Sequence, residues 1–411
     1  MVESTGHPRW RRRSLIVLGI ALLAINLRGP IAAVGPVLDL LTGDLALTAV
    51  QVSLLTAAPV VCFGAIGVLT PWLTHRVGLD GAAVTALALL SAGLLLRSGP
   101  ATATLFAGTV VVGAAIAVGN VLLPTLVKRD APRHPGVMTG VYSTCLTGSA
   151  AIGAATVVPI STAYGWRVGV GIWVVPAVLA LVLWAPRIRR AASARARGTA
   201  TARVADLRRP GGVRSLLRQP LAWQVTVFMG LQSAGFYAVL AWLPLINRSA
   251  GISAADAGLL LAVVTASGIP MALTVPAWAA RCRDQRVFPL VLTLLTTSGF
   301  VGVLVAPTAV PVLWAVLIGA GLGGNFPMAL TLMVLRTSSP SDTAALSAMA
   351  QGIGYLIAAT VGPFAVGVLH ELSGGWTWPL ALLVGLALPQ VLAGWGAGRA
   401  RLIGPPGPGQ R

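Results

Sequence analysis

The chain has 411 residues, 56% of them hydrophobic and only 9% charged, where an ordinary soluble domain carries about 25% charged residues. Its formal charge of +19 would suit nucleic acid, but the arginines cluster beside long apolar runs, the positive-inside pattern of membrane spans, which argues against a nucleic-acid partner. The three cysteines, Cys62, Cys145 and Cys282, form no close pair and no metal spacing. No phosphate-binding loop, Ser-His-Asp arrangement or metal-ligand cluster is present, so no enzyme, metal or cofactor is expected.

Twelve apolar segments follow one another along the chain, each near the roughly 20 residues that cross a hydrocarbon core. They cover 14–38, 49–73, 80–98, 102–126, 136–160, 166–185, 220–246, 257–280, 287–306, 310–335, 343–369 and 376–397. All should be helical, since lipid offers no partner to unpaired backbone amides. Those with an internal proline (Pro30, Pro36, Pro124, Pro327, Pro363) should bend there. The tail 1–13 carries Arg9, Arg11, Arg12 and Arg13 and should stay cytoplasmic. The first run is too long for a signal-peptide core and reads as a retained span.

Arg28 lies near the middle of that first run. A lone cation at this depth costs roughly 3 kcal/mol on insertion scales. No span carries an acid well inside it; Asp39 and Glu371 sit near outer ends. The partner of Arg28 is therefore expected to be the solute, an anion or a strongly dipolar small molecule. The missing intramembrane carboxylate also argues against a proton relay, and points to facilitated diffusion, anion exchange or a solute that brings its own proton.

Alternate loops carry the positive charge: Arg76; then Lys128, Arg129 and Arg133; then Arg281, Arg283 and Arg286; then Arg336. The opposite loops hold only Arg97, Arg167 and Arg248. An even number of spans with both termini inside satisfies every loop. The longest connection, 186–219, has ten arginines and one acid, Asp206. It reads as a cytoplasmic linker near anionic lipid headgroups. It divides the chain into bundles 14–185 and 220–397, with a cytoplasmic tail 398–411.

The two bundles echo each other. Gly119-Asn120 precedes Pro124, and Gly324-Asn325 precedes Pro327; Gly165-Trp166 opens the sixth span, and Gly375-Trp376 the twelfth. Six spans repeated as six in parallel orientation is the plan of the major facilitator superfamily. Within it the chain resembles the bacterial cyanate and 2-nitroimidazole transporters, the CynX/NimT-like branch. The resemblance rests on Asn26-Leu27-Arg28-Gly29-Pro30 with Val34-Gly35-Pro36, on Gly119-Asn120-Val121-Leu122-Leu123-Pro124, on Met138-Thr139-Gly140-Val141-Tyr142, on Phe228 to Ser233 with Phe236-Tyr237 and Trp242-Leu243-Pro244, and on Met349 to Tyr355 with Gly362-Pro363. One departure is His75, which stands where many superfamily members place the acid of a latch after the second span.

The resemblance implies an all-α membrane protein of twelve transmembrane helices, in two pseudo-symmetric six-helix halves, in which spans one, four, seven and ten line the cavity. Each of these supplies one amide: Asn26, Asn120, Gln232 and Asn325. With Arg28 they are the candidate solute contacts, followed by Tyr142, Tyr237, Gln351 and Tyr355. Tyrosine offers a hydrogen bond and a ring face to a flat ligand. The expected protein is a monomeric, multi-pass transporter of the plasma membrane. It would carry a small anionic or nitro/heteroaromatic solute by alternating access, the alternative being a multidrug exporter of the same superfamily.

Overall fold

The computed structural model describes residues 9–196 and 213–403. Residues 1–8 of the expected amino-terminal tail, 197–212 of the linker and 404–411 of the carboxyl-terminal tail lie outside the described residues. What is described is helical apart from turns and one isolated bridge between Thr337 and Ile403.

Eleven of the described helices are long and apolar enough to cross a membrane. Span one is Val17–Val37, four Thr102–Asp130, five Pro135–Tyr164, six Trp166–Arg187 and seven Pro220–Ser249; eight is Asp256–Ala279, nine Val287–Val305, ten Pro311–Leu335, eleven Pro340–Ser373 and twelve Thr377–Ala397. Span two is Ala49–Gly67 and runs on into the first turns of the helix Thr70–Arg97. Gly78, at φ 78° and ψ 170°, breaks that helix, and the remainder is span three. A side chain at Gly78 would be strained in this conformation. Span two begins at a capping box in which Thr48 Oγ1 accepts from the Gln51 backbone and Gln51 Oε1 accepts from the Thr48 backbone.

The prolines behave in two ways. Pro36 sits in a 3₁₀ turn that ends span one, and Pro363 in a π-turn with Gly362 at ψ −110°. The carbonyl of Pro363 accepts Trp242 Nε1 at 3.0 Å. At Pro30, Pro124 and Pro327 the helix runs on unbroken. The helix of span six continues to Ala196, so the start of the expected linker is helical. Its alanine and arginine are good helix formers, which explains the extension.

Each half repeats the same packing. Span one lies on span five as seven lies on eleven; two lies on four as eight on ten; three lies on four as nine on ten. Glycines allow the close approaches expected of helices in lipid. The halves meet through spans five and eight, two and eleven, and four and eleven. These contacts run from mid-membrane to the end where the basic loops lie. Gly136 abuts the Pro276 carbonyl, Gly140 the Leu273 carbonyl, and Gly352 the Val68 side chain. Large apolar side chains such as Leu95, Val182 and Leu259 are exposed on the outer surface, where lipid would cover them.

Candidate solute-binding site

The Asn26-Leu27-Arg28-Gly29-Pro30 motif reads residue by residue as a device for holding one arginine at the centre. Asn26 Nδ2 donates to Leu22 O at 2.8 Å and to Pro176 O at 3.1 Å, tying span one to span six. Leu27 fills the space left by Gly119 of span four. Gly29 lies against the Trp173 ring, and its carbonyl lies against Gly153 of span five. The Pro30 carbonyl accepts Arg97 Nη1 at 2.9 Å, and Arg97 Nη2 donates to Val170 O at 3.1 Å. Arg97 is only 1% exposed, so it is a buried clamp across spans one, three and six, not the loop cation its place in the sequence suggests.

Arg28 is thereby directed to the interface between the halves. Its guanidinium stands 5.3 Å from the ring centre of Phe326 on span ten and 5.8 Å from that of Phe236 on span seven. The phenols of Tyr237 and Tyr355 lie within its electrostatic reach, although Tyr355 Oη forms no hydrogen bond of good geometry. Tyr355 packs on Tyr237 at 6.3 Å and on Phe63 of span two at 5.5 Å. Spans seven, ten and eleven therefore set rings round the one cation of span one, with Phe63 of span two behind Tyr355. Ring faces attract a guanidinium by about 0.5–2 kcal/mol each. They offset part of its burial without neutralising it, so its charge stays available to a ligand.

The other candidates divide. Tyr142 is fully buried, lies within electrostatic reach of Tyr355 and has an unpartnered Oη. Gln232 is one turn from Phe236 on the same helix face; its Nε2 donates to Met229 O and Ser233 Oγ, and its Oε1 has no partner. Asn325 is fully buried with both amide atoms unpartnered. Gln351 Nε2 donates to Ser347 Oγ at 2.8 Å and to the Asn120 carbonyl at 3.0 Å, a bond across the halves, and leaves Oε1 free. The Asn120 side chain itself is nearly buried and makes no such bond. Asn26 is not brought to the cage. It lies two residues before Arg28, which on a helix points it to the opposite side, and its amide serves as glue to span six.

Sequence reasoning did not find Phe63, Phe236 and Phe326, because a phenylalanine in an apolar run carries no signal that separates cage from lipid face. It also passed over Asp80. His75 is exposed, as a solvated loop residue would be, but Asp80 accepts both Arg129 Nη1 at 2.8 Å and Nη2 at 2.9 Å. Arg187 joins them through Asp130 at 3.2 Å. The loop after span two thus engages an acid, within the amino-terminal half. A second recess, between spans seven, nine, ten and twelve, is lined by Thr293, Thr296, Thr297 and Gln390. Its polar groups are already bonded to Leu292 O, Thr293 O and Thr293 Oγ1. Among the described residues, unpartnered atoms are instead found on Tyr355 of the cage and on Gln232, Asn325 and Tyr142, and the cage is the better site.

Twelve helical passes in two matching halves, with a charged centre between them, are the plan of the major facilitator fold. The chain matches the Major Facilitator Superfamily over residues 15–359, and it belongs to that superfamily, in its CynX/NimT-like branch. It is 36% identical over 394 residues to the 2-nitroimidazole transporter of Escherichia coli (strain K12), covering 96% of this chain and 98% of that one. It is 32% identical over 381 residues to the cyanate transport protein CynX of the same strain, covering 91% and 95%. Among solved structures, the proton:xylose symporter XylE bound to 6-bromo-6-deoxy-D-glucose superposes with a TM-score of 0.78 over 96% of this chain and 98% of that one. At 15% identity that likeness speaks for the fold alone. The chain is a multi-pass membrane transporter of small solutes and not an enzyme.

Proposed function

We propose that the solute is a small anionic or nitro-bearing, flat molecule, and that Arg28 meets its negative end at the interface of the halves. The observation that carries this is the cage: a guanidinium faced by Phe236, Phe326, Tyr237 and Tyr355. Among the described residues no carboxylate pairs with it. A carboxylate there would cancel the charge; rings leave it in place and add stacking surface for a planar solute. Tyr237, Tyr355, Gln232, Gln351, Asn120 and Asn325 set orientation. The relatives that carry 2-nitroimidazole and cyanate support this chemistry. Alternating access would rock two six-span halves about the site, with both termini and the basic linker on the cytoplasmic side. Asp80 and Asp130 are paired with Arg129 and Arg187 at the basic end, away from the cage residues in their bonding, which fits a site without a carboxylate proton carrier.

Arg28→Gln tests the reading. It removes a charge-assisted hydrogen bond worth about 1.5–3 kcal/mol, a loss of about 10- to 150-fold in affinity for 2-nitroimidazole or cyanate. Arg28→Lys keeps the charge but loses the planar fork, and falls between. Affinity and thermal stability are measured on the same purified variant. Unchanged affinity with a clear fall in stability would end the anion-site reading and make Arg28 a structural cation.

A further inference from the structure

Thr139, Tyr142 and Ser143 stand at positions i, i+3 and i+4 of span five, and so share one helix face. They are 0%, 0% and 1% exposed, and Thr139 Oγ1, Tyr142 Oη and Ser143 Oγ all lack a hydrogen-bond partner. This departs from the habit of the chain. Most other buried threonines donate to a carbonyl three or four residues back, among them Thr109 to Leu105, Thr226 to Ala222 and Thr331 to Pro327, each at 2.8 Å; Thr70, at the start of its helix, does not. Thr139 and Ser143 decline the same bond. Thr139 lies beside Tyr142 without a well-formed bond between them.

The direction of this face follows from its neighbours. Gly140, next to Thr139, presses on the Leu273 carbonyl of span eight, and Gly153 further along presses on Gly29 of span one. The polar face lies between these two contacts, toward the interface of the halves. Tyr142 is within electrostatic reach of Tyr355, and Tyr355 within reach of Arg28. The three hydroxyls thus continue the line that starts at the cation and passes the aromatic wall.

We propose that the site is two-ended: the face of Thr139, Tyr142 and Ser143 binds an uncharged polar group at the far end of a flat ring whose acidic or nitro end meets Arg28. The proposal rests on the anion-site reading above. Arginine only donates, whereas hydroxyls both donate and accept. The two ends therefore sort a solute by chemistry, the electron-rich group to Arg28 and a phenol hydroxyl or ring N–H to span five. Phe63, Tyr237 and Tyr355 supply the wall between. The favoured solute class is a monocyclic ring carrying both groups.

Matched pairs test it: 4-hydroxybenzoate against benzoate, and 2-nitroimidazole against its N1-methyl derivative. The intact transporter is expected to bind the member with the free polar group about 10-fold tighter, the worth of one hydrogen bond. Thr139→Val with Tyr142→Phe should reduce that ratio below about 2-fold, and Thr139→Val alone should reduce it in part. Arg28→Gln should weaken both members equally and leave the ratio intact. A ratio of one in the unmodified protein, or a ratio that survives both hydroxyl substitutions, overturns the two-ended site. If Arg28→Gln changes neither affinity, the anion-site reading fails instead, and no binding of any probe overturns both.

Discussion

Gly29 has no room for a side chain. A Cβ there would run into the six-membered ring of Trp173, and the backbone that would have to yield is the segment that carries Arg28. Overpacking of this kind costs about 1–3 kcal/mol. Gly29→Ala is expected to lower unfolding stability by that amount and to weaken solute binding with it, because the guanidinium moves off its cage. Trp173→Leu in the same chain should recover much of both, which thermal unfolding and titration together would check. Loss of stability with untouched affinity would mean that Gly29 serves packing alone. At this scale the sequence was legible only where a residue broke the background. Arg28 stood out as a lone charge among apolar residues. Asn26 was misleading, since the cavity helix was known but its rotation was not, and the 200° between positions i and i+2 turns its amide toward span six. Arg97 was misleading for the opposite reason: its position at the end of an apolar run resembles a loop, whereas its guanidinium is spent on Pro30 O and Val170 O.

At the scale of elements, hydropathy located every pass, because a span must be continuously apolar and must pair its own backbone. Of the prolines marked in the spans, only Pro36 and Pro363 coincide with a departure from α-helix. Pro124 and Pro327 sit inside unbroken helices, whereas the bend at Pro363 comes with Gly362, which takes a conformation no helix holds. A glycine makes that bend possible, and Trp242 Nε1 ties it to span seven by donating to Pro363 O. The turn at Gly78 shows the same principle with the φ sign reversed. The loop that follows span two was read from His75, one position at a time, and so Asp80 was missed. Its role depends on Arg129 and Arg187, which arrive from spans four and six and have no proximity in sequence.

At the scale of the whole molecule, the orientation in the membrane can be tested without any substitution. Cys282 is exposed in the connection between spans eight and nine, beside Arg281 and Arg283, while Cys62 is buried and Cys145 partly so. A membrane-impermeant maleimide should leave intact cells unlabelled and modify Cys282 in inverted vesicles. Labelling from outside would reverse the assigned orientation.

At the same basic end an ammonium bonds across the halves. Lys128 Nζ, at the end of span four, donates to Val334 O at 3.0 Å, in the last turn of span ten, and to Thr337 O at 2.6 Å, just beyond it. A cation at a helix carboxyl terminus is favoured by the helix dipole, and Asp342 at the start of span eleven attracts it further. Asp80, Arg129, Asp130 and Arg187 form their ion pairs within one half, so they do not change partners when the halves separate. The bonds of Lys128 do, because donor and acceptors belong to different halves. Lys128→Met should therefore weaken the form closed at this end. Losing about 2 kcal/mol from that form shifts the balance about 30-fold toward opening. Spin labels at His134 and Arg283, both exposed at the basic ends of the two halves, would report it in a background with the three cysteines replaced. Lys128→Met is expected to add a longer-distance population, and a saturating solute should draw it back in proportion to its affinity for the closed form. A distance distribution identical to that of the parent would show that the packing of Gly136 on Pro276 and Gly140 on Leu273, and not the ammonium, holds this end shut.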